Sequence, residues 1–101
     1  MTTSQTVVVN TTSLEDLGIL QKFEVQPNPF TSSTTISYQL NSQSADSEIV
    51  VRDVLGRMVE KHQELASNGY VEIGKNLQKG IYFAHLTMDN KQSRILKIIK
   101  Q

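Results

Sequence analysis

From Lys22 onward the chain is a succession of short apolar runs rich in β-branched residues, each closed by turn-forming residues, and no longer window carries a 3.6-residue period. This pattern argues against a helical fold, because a helix needs its apolar residues on one stripe at spacings of three and four. The runs are 22–25, 34–40, 47–54, 57–64, 70–73, 81–88 and 91–100, separated by Pro27-Asn28-Pro29, Leu55-Gly56, Asn68-Gly69, Gly74, Gly80 and Asp89-Asn90. Short strands at this spacing predict an all-β chain, an immunoglobulin-like antiparallel β-sandwich of about seven strands.

Alternation supports the prediction strand by strand. In 34–40, Thr34, Ile36, Tyr38 and Leu40 fall on one face and Thr35, Ser37 and Gln39 on the other, as in a half-buried antiparallel strand. In 81–88, Tyr82, Ala84, Leu86 and Met88 form the expected core face, with Ile81, Phe83, His85 and Thr87 directed outward. Pro27 and Pro29 fix their own φ and push Gln26 and Asn28 out of the α region, so 26–30 is read as a stiff, kinked connector. Gly56 supplies the positive φ of a hairpin at Asp53–Arg57, and Asp89-Asn90 suits a tight turn.

A chain of 101 residues is one domain. Residues 1–20, rich in Thr and Ser, read as a linker, and 21–101 as the folded domain. Ser13-Leu14-Glu15-Asp16 has capping-box spacing, so a helical turn can start there, and Gly18 stops it early. Ten basic and ten acidic residues balance, which speaks against nucleic-acid binding, since a phosphate backbone demands a basic surplus. The longest apolar run, Ile81-Tyr82-Phe83-Ala84, has four residues against the about 20 of a membrane-spanning helix. Val7-Val8-Val9, with no basic residue before it, does not make a secretory signal. If the domain works outside the cell, it is expected to follow other domains in a longer precursor. Asn10-Thr11-Thr12 matches the common N-glycosylation acceptor pattern.

No catalytic constellation emerges. The chain has no cysteine, and His62 and His85 stand alone, without the spacing of a zinc site. No phosphate-binding glycine loop, nucleophile elbow or calcium loop occurs. His85 is read as a solvent-facing or rim residue, and Glu60, Glu64 and Glu72 as carboxylates of solvated strand faces. The expectation is therefore no catalyst and no cofactor.

Charge is unevenly placed: residues 1–50 carry one basic and five acidic side chains, and 51–101 nine basic and five acidic. Lys91, Arg94, Lys97 and Lys100 recur through the last run, around Ile95-Leu96 and Ile98-Ile99. Two readings stand. Lysines can guard an edge strand against edge-to-edge pairing, or a basic, two-faced terminal strand can dock a partner by strand addition or charge steering.

Several segments taken together resemble one family. They are Val25-Gln26-Pro27-Asn28-Pro29-Phe30 before a Thr/Ser-rich strand, Val50 to Val59 around Asp53-Val54-Leu55-Gly56-Arg57, Leu77-Gln78-Lys79-Gly80-Ile81-Tyr82-Phe83, and the ending Lys97-Ile98-Ile99-Lys100 before Gln101. In order and spacing they resemble the type A C-terminal sorting domain of type IX secretion cargo in Bacteroidetes. The resemblance implies a transport address: a larger cargo is exported to the periplasm by its own signal peptide, directed through the outer membrane by this domain, and displayed at the surface or released. The implied partners are an outer-membrane shuttle protein and a sortase that cuts in the preceding linker. The implied motif residues are Pro27, Asn28 and Pro29, the turn glycine Gly56, the pair Gly80 and Tyr82, and the basic Lys97 and Lys100. Self-association is left open. The competing reading is a non-catalytic carbohydrate- or protein-binding sandwich appended to a secreted enzyme; it needs an exposed aromatic platform, and Tyr38 and Tyr82 are expected to point inward.

Overall fold

The computed structural model describes residues 13–41, 47–63 and 65–101. Strands run in the order β1 Leu20–Gln26, β2 Thr34–Leu40, β3 Glu48–Asp53, β4 Met58–Gln63, β5 Asn68–Ile73, β6 Gly80–Met88, β7 Lys91–Gln92 and β8 Leu96–Lys100. Two antiparallel sheets result. One has the order β1-β2-β5; the other has β4-β3-β6, with β7 and β8 both paired to the far side of β6. The first ten residues, the Asn10-Thr11-Thr12 match, Asp46 and Glu64 lie outside the described residues.

The inner faces meet as alternation requires. Thr34, Ile36, Tyr38 and Leu40 of β2 are all buried, as are Tyr82, Ala84, Leu86 and Met88 of β6. With Phe23, Ile49, Val51, Ile73, Leu96 and Ile98 the apolar members form one cluster between the sheets. Tight turns fall where their chemistry placed them: Gly56 has φ 85°, and Asp89 and Asn90 both adopt positive φ.

The run read as one strand over 91–100 is two. At the break, Ser93 Oγ accepts the amide of Leu86 at 2.8 Å and donates to Arg94 O at 2.7 Å. A side-chain hydroxyl thus takes the place of a ladder carbonyl, and hydropathy alone does not register the exchange.

His85 departs from expectation. It lies on the outward face of β6, yet is only 7% exposed, because β6 is an interior strand and its neighbour across β3 is Val50, itself 2% exposed. Burial lowers the His85 pKa below the ordinary value, and Arg52 lowers it further while Glu48 opposes. A histidine depressed in the fold binds its proton more tightly when unfolded, so its contribution is complete above about pH 6.5 and is lost as pH falls below that toward the folded value. Urea melts at successive pH values are expected to show this loss, and His85→Gln is expected to flatten it. Parallel pH profiles for the two proteins would contradict the assignment.

Ser13–Ile19, the end of the segment read as a linker, packs against the sandwich. Ser13 Oγ accepts the Asp16 amide at 3.1 Å, the turn closes at Gly18 with φ 74°, and no helix follows. Leu14 is fully buried, its amide donates to Gln92 O at 3.0 Å, and its carbonyl accepts from Ile19 and Leu20. The Glu15 carboxylate accepts the Arg94 amide at 3.0 and 3.1 Å, and the Arg94 guanidinium donates to Phe23 O. These contacts join β1 to the β7–β8 break.

Candidate functional site

The strand registers bring three connecting loops and the end of the last strand to one end of the sandwich. Gln26 pairs with Thr35, Thr34 with Ile73, Asp53 with Tyr82, and Gly80 with Lys100. The loops 27–33, 54–57 and 74–79 and the end of β8 therefore lie together.

Asn28 makes the first link. Its Nδ2 donates to Lys97 O at 2.8 Å and its Oδ1 accepts the Ile99 amide at 3.0 Å. A carboxamide carries a donor and an acceptor on one planar group, so it can imitate the peptide of a neighbouring strand. Pro27 and Pro29, each preceded by a cis peptide, flank Asn28. The imitation continues in the main chain, where Phe30 N donates to Ile99 O at 3.0 Å and Gln101 N to Phe30 O at 2.8 Å, a parallel bridge between Phe30 and Lys100.

This arrangement bears on the edge in both readings of the last strand and leaves charge steering untouched. The outer edge of β8 is covered by residues 28–30, one of the ways a protein hides an edge. Lysines do not guard it alone, and along 97–101 a partner strand would have to displace the chain's own connector.

Phe30 makes the second link. It is 3% exposed and packs over Gly74, whose φ is +85° and where a Cβ would lie 2.5 Å from the Phe30 ring. Lys100 closes the cluster: its Nζ donates to Gly74 O at 2.6 Å and Leu77 O at 2.7 Å, and sits 5.7 Å from the Phe30 ring centroid, within cation–π range. Glu60, read from the sequence as solvated, accepts the Gly74 amide at 2.8 Å and faces His62 Nε2 at 3.1 Å. It ties β4 to the same loop.

Tyr82 and Gly80 make the third link. The Tyr82 hydroxyl donates to Gln78 O at 2.7 Å, clasping the turn that precedes its own strand. Gly80 takes φ 154° at the start of β6, a conformation that side chains rarely adopt. Gly56 belongs to the β3–β4 turn at this end. There Asp53 Oδ1 accepts the amides of Leu55 and Arg57, both at 2.9 Å, and Arg52 reaches Gly56 O at 3.0 Å.

Pro27, Asn28, Pro29, Gly80, Tyr82, Lys97 and Lys100 thus gather around β8, with Gly56 across β6 from them. Their roles differ. Lys97 contributes its carbonyl while its side chain is exposed, whereas the Lys100 ammonium is engaged inside the domain. Phe30 and Gly74 were not among the candidate residues, although both stand in segments noted for their turn chemistry. Only the partner across the gap, some forty residues away, makes their importance visible.

Chemically the cluster is a hydrogen-bonded clamp. Among the described residues, no group of three or more histidine or carboxylate side chains converges as metal ligands would, and no helix is long and apolar enough to cross a membrane. Comparison with protein families gives a match to the secretion system C-terminal sorting domain over residues 24–101, which spans every residue of the clamp. No curated protein matches the chain.

Proposed function

The chain belongs to the family of secretion system C-terminal sorting domains, and we propose that it directs a larger cargo through the outer membrane by the type IX route, with the clamped end as the part that the machinery reads. The observation that carries this reading is the convergence of the family-motif residues. Four segments far apart in sequence become one surface only when the sandwich is complete. A folded address of this kind loses little ordering entropy on docking, which a disordered tag would have to supply.

On this reading the domain has no chemistry of its own. The partners are an outer-membrane shuttle protein and a sortase that removes the domain by cutting ahead of it, and the cargo ends on the cell surface or in the medium.

The test is a fusion of residues 1–101 behind a signal peptide and a fluorescent protein, expressed in a type IX secreting bacterium. The expected result is export that disappears in a strain lacking the translocon. Periplasmic retention of the folded fusion in the parent strain would overturn the reading, and glycan-binding screens would then address the alternative of an appended binding module.

A further inference from the structure

The two outward sheet faces differ in kind. On the three-stranded sheet the outward residues are Lys22, Glu24 and Gln26 of β1, Thr35, Ser37 and Gln39 of β2, and Asn68, Tyr70 and Glu72 of β5. Tyr70 is their one large apolar side chain. That is the polar outer face an antiparallel sheet turns to water.

The other sheet breaks the rule. Direct pairing puts Met58, Arg52, Phe83 and Lys97 in one outward row, and Ile81 with Ile99 in the row beside it. Met58 is 47% and Ile81 39% exposed, and Phe83 and Ile99 are half-buried. The tip of the β3–β4 turn adds Val54 and Leu55, 65% and 74% exposed. The charged side chains among these rows, Arg52 and Lys97, are both basic. The carboxylate at this turn, Asp53, is engaged by Arg57 at 2.8 Å.

We propose that this apolar, basic-edged face is the docking surface for a protein of the secretion apparatus whose contact surface is apolar with an acidic rim. The inference rests on the sorting reading above and sharpens it. The polar side chains of Asn28, Tyr82 and Lys100 are consumed inside the domain: Asn28 and Lys100 on backbone groups, Tyr82 on Gln78 O. They are scaffold, and what the scaffold presents is the outward side of the strands it clamps, β6 and β8. Charge complementarity selects the acidic rim. The shape selects a protein over a bilayer, because Phe83 is half-buried between Arg52 and Lys97 in its row, where a planar lipid surface would not reach it. A partner side chain would.

The experiment uses the full-chain fusion in the exporting strain with three variants: Ile81→Ser with Ile99→Ser, Lys97→Glu alone, and Tyr70→Ser on the opposite face. The expected result is an export loss of about tenfold for the first and a smaller loss for the second, with thermal midpoints close to the parent, and normal export for the third. Lys97→Glu keeps the test valid if the double variant folds poorly, since its side chain is exposed. Normal export by folded variants of the first two kinds would overturn the docking face and leave the sorting reading standing; failure of the unaltered fusion to be exported would overturn both. Binding of the domain to vesicles containing anionic phospholipid, lost in the same variants, would replace the protein partner with a membrane. Concentration-dependent dimerisation lost in those variants would replace it with a second copy.

Discussion

Gly74→Ala is expected to cost about 2–5 kcal/mol in urea unfolding, out of a total of about 5–15 kcal/mol for a domain of this kind. Two effects add. A φ of +85° is unfavourable for any residue with a Cβ, by about 1–2 kcal/mol. The new methyl would also sit 2.5 Å from the ring of Phe30, itself 3% exposed, and overpacking of this sort costs about 1–3 kcal/mol. The loop would shift, and Gly74 O and Leu77 O would leave the Lys100 ammonium. A double-mutant cycle identifies the cause. Phe30→Ala alone should cost about 3–5 kcal/mol, but in that background Gly74→Ala should retain only its backbone part, a coupling within the range of about 0.5–3 kcal/mol found for touching residues. Strict additivity would mean that the ring and the glycine do not constrain each other, and the clamp would have to be redrawn.

That coupling also marks where sequence reading ends. Period-two alternation found the strands and their inner faces, because apolar burial follows local spacing: the core positions of β2 and β6 are the ones alternation selected. It failed at the Ser93 break, where a hydroxyl replaces a peptide carbonyl, and at His85, where burial comes from neighbours across the sheet. The motif residues were legible through the family resemblance. Their physical meaning was not. Asn28 looks like a turn residue until its amide is seen spanning Lys97 and Ile99, 69 and 71 positions away. Contacts of that separation leave no trace in local pattern, since their spacing is set by how strands are ordered in the sheets.

The two basic residues of the last strand show the difference most sharply, and their variants should separate by several-fold in effect. Charge and position make Lys97 and Lys100 look equivalent, and reversal of either would be expected to leave the fold intact. Lys97, with its side chain in solvent, fits that expectation: Lys97→Glu should change stability by no more than about 0.5 kcal/mol. Lys100 does not. Its ammonium is half-buried and donates to two carbonyls at 2.6 and 2.7 Å beside an aromatic ring. Lys100→Glu would turn a carboxylate toward Gly74 O and Leu77 O, removing two charge-assisted hydrogen bonds and adding repulsion. Allowing for partial solvent screening, the expected loss is about 2–4 kcal/mol. Lys100→Met keeps the apolar stem and removes only the bonds, so it should fall between the two. Export measured beside folded fraction then assigns the roles. If Lys100 acts as a clamp, export by its variants should follow the amount of folded domain and return under conditions that stabilise the fold, while Lys97→Glu should lose export at full folding. A stable Lys100→Glu that fails in export would instead place its ammonium in direct contact with the machinery, which its engagement by Gly74 and Leu77 argues against.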